Sequence, residues 1–193
     1  MAKTPSHGRS GQLRIIGGAW RGRKLRFTPA EGLRPTADRT RETLFNWLAP
    51  VVAGARCADL FAGTGALGLE ALSRGARHCD FVEPAARTAA ELQAHLRELG
   101  ANDTGRCHRQ TAENFLHSAQ GAFDLVFIDP PFAQGHAGPA CAALAHRALL
   151  APRAHIYLEM GATEPLPPLP ANWQIYREKI AGGVAYRLFC IND

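Results

Sequence analysis

No stretch of this chain approaches the ~18 consecutive apolar residues of a membrane helix, which argues against a helical membrane span. The first residues, MAKTPSHGRSGQ, contain no apolar core, so a secretory signal is not expected. Cysteine is present without a pairing pattern: Cys57, Cys79, Cys107, Cys141 and Cys190 are odd in number, far apart and never form CxxC. That usage predicts reduced thiols in a cytoplasmic protein, not disulfides or zinc. The eight histidines show no HExxH or other ligand spacing, so no metal is expected. Internal repeats are lacking too.

What is present fits one folded domain with a small appendage. The chain has 193 residues, 46% of them hydrophobic and 20% charged, close to ordinary globular usage. Net charge is +5, yet the excess is local. Residues 1–47 hold 10 Lys/Arg and 3 Asp/Glu, net +7, whereas residues 48–193 hold 12 and 14, net −2. A solvated, flexible tail is the plain explanation. However, the same quarter carries Ile15, Ile16, Trp20 and Phe27, so only residues 1–11 are expected to be disordered. An ordered basic extension on a slightly acidic body predicts a polyanion partner, nucleic acid first among them.

Leu13–Ile16 and Lys24–Phe27 read as two short strands flanking GGAWRGR. Asp38 can cap a helix running to about Ala49, with Leu44, Phe45 and Leu48 on its apolar side, and Pro50 stops it. From Arg56 onward the pattern alternates. Strands are expected near 56–61, 78–82, 105–109, 123–128 and 154–159, and helices near 66–74, 85–99, 112–120 and 139–150. Gly75 and Gly100 stand where helix-ending glycines belong. Alternation of this kind predicts βαβ units and a mainly parallel, doubly wound α/β sheet. Trp173–Ile180 and Val184–Ile191 flank Ala181-Gly182-Gly183, so a seven-stranded sheet should end in an antiparallel hairpin. The expected division is a tail over 1–11, an extension over 12–50 and a catalytic domain over 51–193.

Two motifs carry chemistry. In DLFAGTGALG, Gly63, Gly65 and Gly68 fit GxGxxG between a strand and a helix, and Glu83 follows Gly63 by 20 residues at the end of the next strand. Such an acid can accept hydrogen bonds from two ribose hydroxyls, which predicts an adenosine cofactor. Asp59 stands four residues before the loop. An acid there would repel a diphosphate and suit a cation such as the α-ammonium of S-adenosylmethionine, so this cofactor is favoured over a dinucleotide. The second motif is FIDPPF, residues 127–132. Its strand should end at Asp129, in the cleft of the glycine loop. Asp129 is one acceptor, Pro130 and Pro131 stiffen the chain so that a carbonyl is a second, and Phe132 offers a stacking face. Together they describe a holder for the exocyclic amine of a nucleobase that attacks a methyl group, by positioning and electrostatics without a strong base. A cis-proline turn with a packed ring is the structural alternative.

These motifs resemble a known family. DPPF resembles the (D/N)PP(Y/F) signature of amino-methyltransferases acting on nucleic-acid bases. LRIIGGAWRGRKLRF, LRPTADRTRETLFNWL and DLFAGTGALGLEALSRGA together resemble the bacterial RsmD family, from about Leu13 to Ile191. The resemblance implies a Rossmann-like S-adenosylmethionine-dependent methyltransferase fold. It also implies methylation of N2 of one guanine in small-subunit (16S) ribosomal RNA, naked or in a subunit or assembly intermediate. By resemblance, Asp59, Ala62, Gly63, Thr64, Gly65, Glu83, Pro84 and Asp129 bind the cofactor, and Thr111 and Ala112 lie near the adenine. Asp129, Pro130, Pro131 and Phe132 hold the guanine. Arg21, Arg23, Lys24 and Arg26 are implied to grip phosphates. Arg34, Thr36, Arg39 and Arg41 are implied to line the cofactor cleft or the target loop. The plain alternative is that some of these arginines pair with Glu42 or Glu31 at the surface, which contributes little. Thr40 departs from the family by replacing an expected apolar residue. A monomer suffices. The competing functions are an adenine-N6 methyltransferase on DNA or RNA, a non-catalytic RNA-binding factor that kept the fold and, most weakly, a dehydrogenase.

Overall fold

The computed structural model describes residues 11–29, 38–131 and 135–192. β1 (Gly11–Arg14) and β2 (Lys24–Phe27) form an antiparallel hairpin, and α1 (Asp38–Leu48) follows. The chain then runs β3 (Arg56–Asp59), α2 (Ala66–Ser73), β4 (His78–Val82), α3 (Ala86–Glu98), β5 (Gly105–His108), α4 (Ala112–Ser118), β6 (Phe123–Ile128), α5 (Ala137–His146) and β7 (Leu150–Gly161). It closes with β8 (Trp173–Ala181) and β9 (Val184–Ile191). Among the described residues, seven strands form one sheet in the order β5-β4-β3-β6-β7-β9-β8. Five of them are parallel, and β9 runs antiparallel to both β7 and β8. The expected doubly wound sheet with an antiparallel end is therefore the observed one.

Burial explains why the inner strands are apolar runs rather than alternating patterns. Leu125 to Ile128 of β6 are all fully buried, because helices cover both faces of the sheet. On one face α1, α2, α3 and the hairpin bring Phe45, Leu69, Leu92 and Leu13 onto Cys57, Phe81 and Phe127. On the other, α4 and α5 bring Phe115, Leu116 and Leu144 onto Ala58, Val126 and Ile128. The third glycine of the loop pattern is explained here. A Cβ on Gly68 would lie 2.2 Å from the Phe81 ring, so only glycine lets α2 lie this close to β4.

Several boundaries differ from expectation. The first strand begins at Gly11, inside the expected disordered tail, and ends at Arg14; Ile15 and Ile16 lie beyond it. The helix expected over 139–150 is α5 over 137–146, and β7 already begins at Leu150. Positive φ at Ala148 (51°) ends the helical path, and positive φ at Arg153 (60°) accompanies a register shift opposite Phe123 and Leu125. That irregularity lets Pro152 sit in β7, where a regular ladder would need its missing N–H.

All eight residues of α2 are buried, so its polar members need partners. Glu70, 0% exposed, accepts from the backbone N–H of Ile16 (2.9 Å) and Gly17 (2.8 Å) and from Arg74 Nε (2.7 Å). Ser73 Oγ donates to the Gly17 carbonyl and accepts from the Trp20 N–H at 2.9 Å. Gly18 (φ +77°) passes so close that a Cβ there would sit 1.8 Å from the Ser73 carbonyl oxygen. Arg41 is corrected from a cleft-lining residue to an interior one. It is 1% exposed, with Nη1 3.8 Å from Glu70 and Nη2 donating to the Arg14 carbonyl (2.8 Å) and to Asp38 (2.6 Å). Thr40 is half-buried beside it, outside the inward row Arg41, Leu44, Phe45 and Leu48, so the missing apolar residue costs that row nothing.

Glu70→Ala should therefore cost about 3–5 kcal/mol in urea unfolding, because it leaves two backbone N–H groups and Arg74 Nε without their acceptor and removes the carboxylate beside Arg41. Glu70→Gln, which keeps an acceptor oxygen, should cost less.

Candidate active site

The chain leaves β3 towards β4 and β5 on one side and returns to β6 and β7 on the other. The carboxyl ends of β3 and β6 thus flank a topological switch point, where ligands bind in open α/β sheets. Asp59 ends β3, Glu83 directly follows β4 and Asp129 directly follows β6. Cys57, Leu125 and Phe127 point to the face covered by α1 and α2. Strand alternation places Asp59 and Asp129 on that same face.

Asp59 is 1% exposed and accepts the Gly68 N–H at 3.0 Å. Gly65, the residue capping α2, is left-handed (φ +83°) and has no side chain to satisfy the helix start. Asp59 supplies from the strand the carboxylate that a capping side chain would otherwise supply. The position a diphosphate takes in dinucleotide folds is thereby already engaged by an anion. Burial pushes the Asp59 carboxyl up to about 7; the charges of Asp129 and Glu83 push the same way, against the Gly68 and Phe61 N–H groups. Three carboxylates thus share one neighbourhood. The chemistry of this set is that of acceptors, suited to a cation and to hydroxyls.

Glu83, 9% exposed, spans the same loop. One oxygen accepts from Gly63 N–H (3.1 Å) and the other from Ala85 N–H (2.8 Å). Each carboxylate oxygen has a second lone pair, so two acceptor positions remain for a ribose. Ala62 and Thr64 are buried beneath the loop, with the Ala62 N–H on the Val82 carbonyl at 3.0 Å. Pro84 is exposed beside Glu83. Thr111 is also exposed, and its hydroxyl caps α4 by accepting the Asn114 N–H at 3.2 Å. Ala112 packs inward at 7% exposure. Both follow the end of β5, whose His108 carbonyl accepts the Glu83 N–H, and so share the edge with the glycine loop. Pro130 is buried, Pro131 is exposed, and no cis peptide bond occurs among the described residues. Phe132, Arg34 and Thr36 lie outside the described residues.

The basic side chains divide. Arg21, Arg23, Lys24 and Arg26 are exposed. Arg23 meets Glu98 at 3.2 Å with both side chains about half exposed, a pairing of little energetic consequence. Arg14 was not among the sequence candidates, although the alternation of Leu13 and Ile15 inward and Gln12 and Arg14 outward could have found it. It lies directly opposite Lys24 across the hairpin, and Arg26 lies opposite Gln12. Like charges face to face destabilise a hairpin, so this outer face has a reason other than its own stability. Arg39 is exposed at the start of α1. Among the described residues no cluster could hold a metal and no helix is long and apolar enough to cross a membrane. All five cysteines are free; burial pushes Cys107 up to about 11 and Cys141 to about 12, so these two are not activated thiols.

Residues 13–190 match the family described as "Conserved hypothetical protein 95". Ribosomal RNA small subunit methyltransferase D of Escherichia coli strain K12 is 49% identical over 97% of this chain and 94% of its own length. The Haemophilus influenzae protein of the same name is 43% identical over 98% and 99%. This chain belongs to the ribosomal RNA small subunit methyltransferase D family. The solved structure of Escherichia coli yhhF superposes with a TM-score of 0.88 at 46% identity, covering 94% of this chain and 99% of that one. Magnesium protoporphyrin IX methyltransferase of Synechocystis, solved with bound SAM, shares the fold at TM-score 0.57 and 18% identity, over 80% and 79% of the two chains.

The Asp59 carboxyl fixes a sign for pH dependence in the family member described here. An acid whose folded value is raised from 3.8 to about 7 contributes stability that is fully present below 3.8 and lost as pH rises through 7. Asp59→Asn, which keeps an acceptor for Gly68, should equal or exceed the parent in stability at alkaline pH. The difference should close on acidification, as read by urea unfolding at a series of pH values.

Proposed function

We propose that the protein transfers the methyl group of S-adenosylmethionine to the exocyclic N2 of a guanine in 16S ribosomal RNA of the small subunit. The observation that carries this reading is the convergence of Asp59, Glu83 and Asp129 at one edge and on one face of the sheet. It is supported by relatives named for methylation of small-subunit ribosomal RNA.

Bound here, S-adenosylmethionine supplies an electrophilic methyl on a sulfonium. The remaining chemistry belongs to the chain. Glu83, held by Gly63 and Ala85, presents its outward lone pairs to ribose hydroxyls. Asp59 and its carboxylate neighbours favour a cation, such as the α-ammonium, in their midst. Thr111 and Ala112 border the adenine. Asp129 and a carbonyl of the stiff Pro130-Pro131 step accept the two hydrogens of the guanine amine, and Phe132 stacks on its ring. That grip turns the N2 lone pair towards the methyl. With the donor bound, N2 would take up the methyl as the sulfonium leaves as a thioether, and Asp129 would accept the proton released from the amine. Catalysis of this kind is positioning and electrostatics.

Arg14, Arg21, Arg23, Lys24 and Arg26 contact the RNA backbone, which offsets the like-charge face of the hairpin. The substrate is the RNA of the small subunit or its assembly intermediate, in the cytoplasm, and a single copy of the chain carries every group invoked.

Asp129→Ala should lower kcat by roughly 10²- to 10³-fold, as for loss of one preorganised hydrogen-bonding group. Full turnover in this variant would remove the mechanism. Binding of S-adenosylmethionine near pH 7 should also release protons, because a cation favours ionised Asp59. Calorimetry in two buffers of different ionisation enthalpy measures this. A substrate panel of unmodified small subunits, stripped 16S RNA and duplex DNA separates this reading from adenine-N6 methylation of DNA.

A further inference from the structure

Between α1 and the antiparallel end of the sheet lies a cleft of about 350 Å³, within the range of small-ligand sites. Arg39, Thr43 and Trp47 of α1 line one side, and Tyr157, Lys179 and Tyr186 of the sheet line the other. Arg39 and Lys179 are exposed, Trp47 and Tyr186 are half-buried, and none of the described lining residues is acidic. Tyr157 donates its hydroxyl proton to Glu159 at 2.9 Å, so it offers the cleft a ring face rather than a donor.

The cleft adjoins the candidate active site. Tyr157 pairs with Phe127 in the parallel register, and Asp129 follows two residues later on the same face of β6. Tyr186 pairs with Glu159, level with Asp129 on the next strand but one. The cleft therefore opens one to two strand spacings from Asp129, roughly 5–10 Å, on the side away from Glu83.

We propose that this cleft is a second base-binding subsite, which receives the base of an unpaired RNA nucleotide adjacent to the target guanine. The proposal rests on the RNA reading above. Trp47 and Tyr186 supply the stacking faces, and Arg39 and Lys179 meet the phosphates that flank the base. Aromatic faces beside cations are how unpaired RNA is held, and every base offers a face to stack. A splayed target base also needs its neighbours fixed, because the backbone on both sides must be held while one nucleotide turns out. The subsite would thus decide which guanine is presented, not the chemistry performed on it. The long separation between Trp47 and Lys179 in the chain means that neither residue marks the site alone.

The test uses the full chain and single-stranded RNA oligonucleotides that contain the target guanine, with binding followed by fluorescence anisotropy at fixed salt. Trp47→Leu should weaken binding about tenfold, in keeping with the loss of one stacked base. Lys179→Ala should weaken it less and lower the magnitude of the salt slope by roughly 0.7, one single-strand phosphate contact. An oligonucleotide made abasic next to the guanine should lose about tenfold with the parent protein and nothing further with Trp47→Leu, a non-additive cycle. Affinity for S-adenosylmethionine should be unchanged throughout. Lys179 is exposed on the edge strand β8, so that arm stands if Trp47→Leu does not fold. Parental affinity in both variants would overturn the subsite and leave the RNA reading standing. No binding of any RNA by the parent protein would overturn both.

Discussion

One buried carboxylate joins the two halves of this molecule. Glu70 lies in the middle of a fully buried helix and takes hydrogen bonds from the backbone of Ile16 and Gly17 and from the Arg74 side chain. Arg41, from α1, approaches the same group. Burying a carboxyl group without such donors costs stability. Hairpin, α1 and α2 are therefore committed to one arrangement. Because α2 also carries the glycine loop at its start, the basic face of the hairpin is held in fixed relation to the loop. Distance and angle between the basic face of the hairpin and the glycine loop then become properties of the packed core. Ser73 and Gly18 reinforce the joint by a contact too close for any side chain.

The second organising feature is the sign of the groups at the switch point. Dinucleotide folds present helix-end N–H groups to a phosphate. Here Asp59 already accepts from the start of α2, and Glu83 accepts from the loop itself. What remains outward is acceptor capacity, with Asp129 adding to it. Around the same GxGxxG backbone, acids from the strand ends thus present acceptors where dinucleotide folds present N–H donors. Burial first, and the charges of Asp129 and Glu83 after it, raise the Asp59 carboxyl.

Much of this was legible in the sequence because it is local. Strand and helix alternation, the glycine loop, Glu83 twenty residues on and DPPF all lie within short windows whose residue types carry their own physical meaning. Three things were not legible, the first two because they depend on partners far along the chain. Arg41 reads as a surface cation beside Glu42, yet its partners include Arg14 and Glu70. Glu70 itself left a trace: it is the lone charge in ALGLEALS, and an acid in an otherwise apolar helix asks for a buried partner. The end of α5 is not legible because the left-handed turn at Ala148 falls on a residue with high helix propensity.

In the proposed function, an acid-lined site in this fold directs a methyl group to the amine of a guanine. The most direct measurement incubates the protein with labelled S-adenosylmethionine and small ribosomal subunits that lack the modification, then identifies the labelled nucleoside by mass spectrometry. N2-methylguanosine in the subunit RNA is the predicted result. N6-methyladenosine, or no label despite bound S-adenosylmethionine, would contradict it.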